Sequence, residues 1–147
     1  LARYLLDRQV AFYLPLISHR WRSRGRTLTS YVPLFTSYLF LLTTPEERVT
    51  ALASGRVVQS LAVADQDRLW RDLQQIHRLI ATGAPVTPVD RLAPGMPVEI
   101  RGGPLAGMKG KIVRTASGRR FIVEVDFIQR GASVLLEDFN LVPMAEE

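Results

Sequence analysis

The feature that most constrains this chain is a glycine-rich stretch, residues 102–110, which holds four glycines and one proline. Glycine adopts positive φ without a steric cost and proline fixes φ, so this composition favours a tight loop. The flanking residues predict strands at Val98–Arg101 and Lys111–Thr115, with the loop joining them. The loop does not end in Gly-Lys-Ser/Thr and has no GxGxxG spacing, which argues against nucleotide binding.

Further strand signals follow this loop closely. Apolar and polar residues alternate from Phe121 onward, as in a half-buried strand, and Ser117-Gly118 ahead of it predicts a hairpin turn. Five short strands within about fifty residues indicate a small β-barrel. The predicted strands are Val98–Arg101, Lys111–Thr115, Phe121–Ile128, Ser133–Glu137 and Asn140–Pro143.

The N-terminal part mixes helix and strand signals. A Thr-Pro-Glu-Glu run from Thr44 predicts a helix that starts with a capping box and has proline at its first position. Asp65 or Asp67 caps a longer predicted helix that runs to about Thr82, with apolar residues at helical spacing. Strands are predicted at Ala11–Ile17, Tyr31–Leu42 and Val57–Val63, and the end of a helix at Leu1–Arg8.

Residues 84–91 contain two prolines and show no helical period, so we predict an extended linker there. This linker separates an N-terminal domain, residues 1–83, from a barrel domain, residues 92–147. A length of 147 residues fits one ordinary domain or two small ones, and an apolar content of 47% is enough for packed cores. The expected fold class is therefore α+β.

The net charge of +5 is unevenly distributed. Residues 1–83 carry eleven arginines against six acidic residues, whereas residues 84–147 carry eight basic and eight acidic residues. The arginine excess favours an anionic partner such as nucleic acid, because the guanidinium fork matches phosphate geometry. A merely solubilising surface is the alternative, and charge alone leaves both open.

One arginine-rich segment is the candidate nucleic-acid contact. In an extended chain, its four arginines would project to one side and Trp21 would be free to stack on a base. A solvated loop between two strands is the other interpretation. The candidate residues are Arg20, Trp21, Arg22, Arg24 and Arg26.

An aromatic segment from Val32 to Phe40 has two interpretations. In a strand, Tyr38 and Phe40 share one face, while Leu39 and Leu41 share the other. An exposed aromatic face would be a protein-binding patch, because aromatic anchors dominate interface energetics. Burial of both faces in a core is the alternative.

Little in the sequence points to catalysis. The absence of cysteine excludes disulfides, thiolate metal sites and a cysteine nucleophile. The acidic residues show no paired-carboxylate or metal-ligand spacing, and no serine lies in a nucleophile elbow. His19 and His77 are the only histidines, and we interpret His77 as a partly buried structural residue. We predict no enzyme activity, no catalytic residue, no cofactor and no metal site.

The sequence also bears on location. No apolar run approaches the roughly 18 residues that span a bilayer, and no signal peptide is recognisable. We expect a cytoplasmic protein with no membrane partner. The chain begins at Leu1 rather than Met, so we expect its N-terminus to be incomplete.

The second half of the chain resembles the KOW motif, which occurs in small β-barrels of transcription and ribosomal proteins. Gln129 stands where that motif usually has glycine. The residues that carry the resemblance are Gly95, Val98, Gly103, Pro104, Leu105, Gly107 and Gly110, continued by Val125–Ile128 and Val134.

Nearly the whole chain resembles the NusG family of transcription elongation and antitermination factors, RfaH-like paralogues included. Pro33–Phe40 matches the family's Pro-Leu-Phe-Pro-Gly-Tyr-Leu-Phe-like strand, with Thr36-Ser37 in place of Pro-Gly. Phe12–Leu16 matches the strand before it. The two departures, at Thr36-Ser37 and at Gln129, make an operon-specific paralogue plausible.

The resemblance implies a fold as well. A ferredoxin-like α/β N-terminal domain (NGN) would precede an SH3-like, five-stranded KOW barrel. The family begins with a strand that is central in its first sheet, and this chain starts after that strand. Either that segment is not included here or something else closes the sheet, and without it an unpaired sheet edge would be exposed.

The resemblance also implies partners for a monomeric protein without catalysis. The first domain would dock on the clamp helices of RNA polymerase and suppress pausing, with DNA or RNA near its basic surface. The barrel would bind a ribosomal protein or the Rho factor through Phe127 and Ile128. The polymerase contacts would be Pro33, Leu34, Phe35, Tyr38 and Phe40.

A ribosomal-type, RNA-binding KOW protein is the alternative. The zero net charge of residues 84–147 argues against it, because an RNA-bound barrel should be basic.

Overall fold

The computed structural model describes residues 1–136 and 141–143, and they form a mixed α+β arrangement. The helices are α1 (Ala2–Asp7), α2 (Pro45–Leu52) and α3 (Gln66–Ala81), and a 3₁₀ turn covers Asp126–Ile128. The strands are β1 (Phe12–Tyr13), β2 (Leu16–Ser23), β3 (Arg26–Pro33), β4 (Phe40–Leu41), β5 (Thr87–Val89), β6 (Met96–Ile100), β7 (Lys109–Thr115), β8 (Gly118–Val125), β9 (Arg130–Leu135) and β10 (Leu141–Pro143).

The strands form one large sheet and two small ones. The large sheet has the order β10-β6-β7-β8-β9-β5, and every neighbouring pair is antiparallel. In the first 83 residues, β1 pairs with β4 and β2 pairs with β3, as two separate two-stranded sheets. The predicted barrel strands thus appear in one sheet. Glu137 and Asn140, at ends of two predicted strands, lie outside the described residues.

The glycine-rich stretch folds as the predicted loop between β6 and β7. Gly107 has a φ of +83°, and its N–H donates a hydrogen bond to the carbonyl of Ile100. Gly110 is needed for a different reason: a Cβ there would lie 2.7 Å from the ring of Phe121. The loop also sends the side chain of Leu105 into the core, where it is fully buried. The loop is therefore built into the sheet.

Both longer helices begin as the sequence predicts. Thr44 Oγ1 accepts the N–H of Glu47 at 3.2 Å, and the Glu47 carboxylate accepts the N–H of Thr44 at 3.0 Å, which completes the capping box. Asp65 rather than Asp67 caps α3, by accepting the N–H of Arg68 at 3.1 Å. These local signals suffice because each cap uses only residues three apart.

Helix α3 packs against β8 and the 3₁₀ turn. Its buried residues Leu73, Ile76 and Leu79 belong to the same core cluster as Phe121 and Val123 of the sheet. A second cluster gathers around Leu5, Val10 and Ala51. The described N-terminal residues therefore share their main core with the large sheet.

Several sequence predictions differ from the structure. The hairpin turn lies at residues 116–117 and not at Ser117-Gly118, and the predicted strand Phe121–Ile128 ends at Val125. Val57–Val63 is not a strand: no described strand pairs with it, and a lone strand leaves its backbone groups without ladder partners. The predicted strand Tyr31–Leu42 ends at Pro33 and resumes only for Phe40–Leu41. Between them, Ser37 has a φ of +71°, which a continuous strand does not allow. Within the predicted linker, Thr87–Val89 pairs with β9. Proline at position 88 is compatible because β5 is an edge strand.

Candidate nucleic-acid interface and partner-binding residues

The predicted nucleic-acid residues lie on one long hairpin. Strands β2 and β3 pair over eight residues each, and we call this hairpin, Leu16–Pro33, the arginine ribbon. Its two-residue turn is Arg24-Gly25, and both residues have positive φ (51° and 75°). Positive φ at both central positions is typical of the type I′ turn, whose twist matches that of paired strands.

The turn at Arg24-Gly25 corrects the predicted comb of four arginines on one side. Register pairs Arg20 with Thr29, Arg22 with Thr27 and Ser23 with Arg26. Because side chains alternate across a strand and paired residues share a face, Arg20 and Arg22 lie on one face and Arg26 on the other. Arg24 sits in the turn itself.

We name the two faces by their aromatic residues. The tyrosine face carries Ser18, Arg20, Arg22, Thr27, Thr29 and Tyr31, and the tryptophan face carries His19, Trp21, Arg26, Leu28 and Ser30. Trp21 is 44% exposed beside Leu28, and Tyr31 is 71% exposed. Trp21 therefore lies on the face opposite to Arg20 and Arg22.

The charge on this ribbon is not balanced locally. Residues 8–45 contain five arginines and no aspartate or glutamate. Among the described residues, the four ribbon arginines form no salt bridge, and all four are exposed. A row of unpaired guanidinium groups raises the local concentration of anions such as phosphates.

The predicted polymerase contacts are only partly at the surface. Pro33 is exposed, Tyr38 and Phe40 are half-buried, and Leu34 and Phe35 are buried in the main core. The prediction that Leu34 and Phe35 form a surface contact therefore does not hold in this arrangement. They are buried because the chain turns at Ser37 instead of continuing as a flat strand.

The aromatic residues of this segment pack on one another and on the large sheet. The rings of Phe35 and Phe40 meet edge to face, with centroids 6.3 Å apart. The guanidinium of Arg130, in β9, lies 6.0 Å from the centre of the Tyr38 ring. The strand region after residue 92 thus covers part of the predicted patch.

Polar contacts join α3 to the large sheet at one end. A carboxylate oxygen of Asp72 accepts the backbone N–H of Asp126 at 3.1 Å, and Arg68 lies 3.5 Å from the Asp126 carboxylate. Burial raises the pKa of the Asp72 carboxyl, against the lowering effects of the hydrogen bond and of Arg68. The carboxylate form of Asp72 is therefore held at a desolvation cost.

At its other end, α3 contacts the glycine-rich loop. Arg78 donates hydrogen bonds to the carbonyls of Ala106 and Pro104, and Gln75 accepts the N–H of Lys109 at 3.2 Å. These contacts use polar residues that a helical pattern assigns to solvent. No pattern in the sequence predicts them, because they depend on where the loop lies relative to the helix.

The residues of the KOW-like pattern have clear structural roles. Val98 is fully buried, Gly103 and Gly107 have positive φ, and Gly95 and Gly110 each lie against the backbone of a neighbouring strand. Pro104 is exposed beside them in the loop. These residues therefore build the loop and the sheet around it.

The two residues of the predicted partner contact, Phe127 and Ile128, differ in exposure. Phe127 is 41% exposed, whereas Ile128 is buried in the main core and offers no surface. The next residue, Gln129, has a φ of +52°, a conformation that glycine adopts readily. Its side-chain amide donates hydrogen bonds to Asp126, at 2.7 Å to the carbonyl oxygen.

The two histidines lie on different elements, His19 on β2 and His77 on α3. His19 is exposed on the tryptophan face, and His77 is exposed with its ring edge-on to Tyr13, at 6.3 Å, rather than partly buried as expected. Over residues 1–136 and 141–143, no three His, Asp or Glu side chains are grouped to hold a metal ion. Within the same residues, no helix is both long and apolar enough to cross a bilayer.

Sequence reasoning missed Tyr31 and the groove beside it. The sequence predicts Tyr31 only as the first residue of a strand, yet it lines an open groove of about 220 Å³ at the base of the arginine ribbon. The groove is otherwise lined by Leu16, Ile17, Ser18, Ile80, Gly83, Ala84 and Val86. Placing the turn at Arg24-Gly25 would have paired Tyr31 with Ser18 and revealed its face.

Comparisons of this chain with known protein families, with curated proteins and with solved structures found no match.

Proposed function

We propose that this protein is a transcription elongation or antitermination factor of the NusG type, which binds RNA polymerase and carries no catalytic site. In this proposal the N-terminal half is an NGN-like, ferredoxin-related domain. The sheet that includes β6 to β9 is an SH3-like KOW barrel that binds a second protein. The arginine ribbon approaches nucleic acid.

The backbone at two departures from the family pattern carries this proposal. Ser37 and Gln129 replace residues that are glycine in the NusG pattern, and both have positive φ, at +71° and +52°. A side chain in this conformation costs roughly 1–2 kcal/mol, so few positions adopt it by chance. The chain keeps the glycine-like turn at both positions although the glycine is gone, which supports the resemblance.

The proposal places a requirement on the arrangement of the molecule. Phe35 is buried in the core that the sheet shares with α3, and Arg130 of the sheet faces Tyr38. Binding of polymerase through the complete aromatic segment therefore requires the barrel to move away from it. Without that movement, Pro33 is accessible and Tyr38 and Phe40 are accessible in part.

Binding to purified RNA polymerase tests the proposal. Tagged protein should retain polymerase in a pull-down, and Pro33→Asp should weaken retention because it places a charge in an apolar contact. Tyr38→Ala combined with Phe40→Ala should abolish it, whereas Trp70→Ala, a 61% exposed aromatic on α3, is the matched control. Thermal unfolding of each variant distinguishes lost binding from lost folding.

Two outcomes would contradict the proposal. Wild-type protein that does not bind polymerase would exclude the function, and retention by the Tyr38–Phe40 double variant would exclude the assigned surface. Recovery of ribosomal RNA without polymerase from a cell extract would favour the ribosomal-type alternative.

A further inference from the structure

We propose that the tyrosine face of the arginine ribbon binds a single strand of nucleic acid, with phosphates on Arg20 and Arg22 and one base stacked on Tyr31 over the groove. This inference deepens the nucleic-acid contact of the proposed function and rests on it for that contact. It replaces Trp21 by Tyr31 as the stacking residue.

The register of the ribbon brings the required groups together. Tyr31 pairs with Ser18, and the next pairs on the same face are Arg20–Thr29 and Arg22–Thr27. Successive pairs on one face are about 6.8 Å apart, since each residue rises about 3.4 Å along the strand. The face therefore presents a ring, then one guanidinium with a hydroxyl, then another guanidinium with a hydroxyl.

The groove beside Tyr31 fits a base better than a phosphate. Its lining residues are apolar or small, and none of them is acidic or basic. Gly83 and Ile80, at the C-terminal end of α3, form one wall, and a helix C-terminus carries partial negative charge. That charge disfavours a phosphate and favours the N–H donors of a base.

The charges along the tyrosine face indicate where the phosphates and the base of a bound nucleic acid would lie. Arg20 and Arg22 lie on the distal side of Tyr31, away from the helix end, and no Asp or Glu occurs between residues 8 and 45. The polarity along the face is thus cationic at the tip and apolar at the base. The phosphates of a bound single strand would therefore lie toward the tip of the ribbon, and the unstacked base would lie at its base.

A single strand suits this face better than a duplex. Bases in a duplex are stacked on one another, whereas an unpaired base can stack on an aromatic ring that is free at the surface. Tyr31 is 71% exposed and makes no described aromatic contact. Phosphate binding alone requires neither an exposed aromatic ring nor a groove beside it.

Fluorescence anisotropy with labelled fifteen-nucleotide dT and rU oligonucleotides, and with a duplex of the same length, tests the inference. Wild-type protein should bind the single strands more tightly than the duplex. Tyr31→Ala should weaken single-strand binding roughly five- to hundred-fold, the range expected for loss of one base–aromatic stack. Tyr31→Phe should retain it, because stacking needs the ring and not the hydroxyl.

The opposite face of the ribbon supplies matched controls. Trp21→Ala removes an aromatic residue from the tryptophan face and should change affinity less than two-fold. Arg22→Ala should lower the salt dependence of single-strand binding by about 0.7 in the logarithmic slope, as expected for one lost phosphate contact. Arg26→Ala, on the tryptophan face, should leave the slope unchanged.

Three results would overturn the inference: no single-strand binding by wild-type protein, a larger loss for Trp21→Ala than for Tyr31→Ala, or equal losses for Arg22→Ala and Arg26→Ala. A difference between the dT and rU arms shows which sugar the site prefers, and binding of either supports the inference.

The polymerase pull-down keeps the two proposals separate. Tyr31→Ala should still bind polymerase through the aromatic segment. Normal oligonucleotide binding with no polymerase binding would remove the proposed function and leave the site. Polymerase binding with unchanged oligonucleotide affinity in Tyr31→Ala would support the proposed function and exclude the nucleic-acid site.

Discussion

Two hairpins of this molecule have nearly the same length but opposite surroundings. The arginine ribbon pairs β2 with β3, and the second hairpin pairs β7 with β8 around a turn at residues 116–117. In the second hairpin, Ile112 and Phe121 face each other in the core, whereas both faces of the ribbon are mostly exposed beyond its base. One hairpin therefore contributes to the fold, and the other offers side chains to a partner.

The difference lies in what alternates along the strands. In β8, Phe121, Val123 and Val125 recur at every second position and are all fully buried. In β2, the corresponding alternation from residue 18 to 23 is between polar and charged residues, with Trp21 as the one large apolar residue. A strand without an apolar face gains little from burial, so we expect the ribbon to contribute little to the free energy of unfolding.

Truncating the large apolar residue of each hairpin sharpens this comparison most strongly. Phe121→Ala should lower the free energy of unfolding by about 3–5 kcal/mol, because it empties a fully buried site. Trp21→Ala should change it by less than about 0.5 kcal/mol, since an exposed side chain loses little on truncation. Urea unfolding of both variants measures the difference, and equal losses would contradict the comparison.

Adding a methyl group to a glycine probes how tightly the core hairpin packs. Gly110→Ala places a Cβ 2.7 Å from the ring of Phe121, and we expect a loss of about 1–3 kcal/mol from overpacking. Gly103→Ala, in the loop before β7, has open space around the Cβ and tests only the strain of positive φ. Thermal unfolding of the pair should show Gly110→Ala as the more damaging change.

Improving the ribbon turn should have a local effect only. Arg24→Asn creates Asn-Gly, the preferred type I′ pair, at residues whose φ is already positive. We expect slower amide hydrogen exchange in β2 and β3, with a change in global stability below about 0.5 kcal/mol. A large increase in the global free energy of unfolding would show that the ribbon is coupled to the core after all.

The contact between Asp72 of α3 and the N–H of Asp126 should make the free energy of unfolding depend weakly on pH. Because burial raises the pKa of Asp72, its contribution to stability is fully present below its ordinary value of 3.8 and is lost as pH rises through the raised pKa. Asp72→Asn keeps an acceptor for the Asp126 N–H and should be slightly more stable than wild type at neutral pH. This advantage should shrink as the pH falls toward 3.8.

Urea unfolding across pH measures this effect, with the exposed Asp90→Asn as the control for loss of a carboxylate. An Asp72→Asn variant that is less stable than wild type at neutral pH would show that attraction to Arg68 outweighs desolvation.

Local signals in the sequence predicted local structure well. The caps at Thr44 and Asp65 form as predicted, and a loop forms at the glycine-rich stretch, over residues 101–108, because each depends on residues close together in the chain. The strand predicted at Val57–Val63 was wrong because a strand depends on a neighbour that its own residues do not specify. The hydrophobic pattern and the β-propensity of a segment describe that segment alone and do not specify the strand with which it would pair.

The candidate sites were harder to predict for the same reason. The four ribbon arginines were found, but their division between two faces follows from the turn at Arg24-Gly25, a pair without a strong turn signature. The burial of Phe35 and the contacts of Gln75 follow from the packing of α3 on the sheet. No pattern within either segment indicates that packing.

Shortening the arginine ribbon tests whether this hairpin binds a partner without stabilising the fold. Replacing Arg20–Thr29 with Asn-Gly joins His19 to Ser30, which already pair across the strands. We predict that the free energy of unfolding changes by less than about 1 kcal/mol while affinity for single-stranded dT is lost. Loss of cooperative unfolding, or unchanged oligonucleotide affinity, would contradict the account.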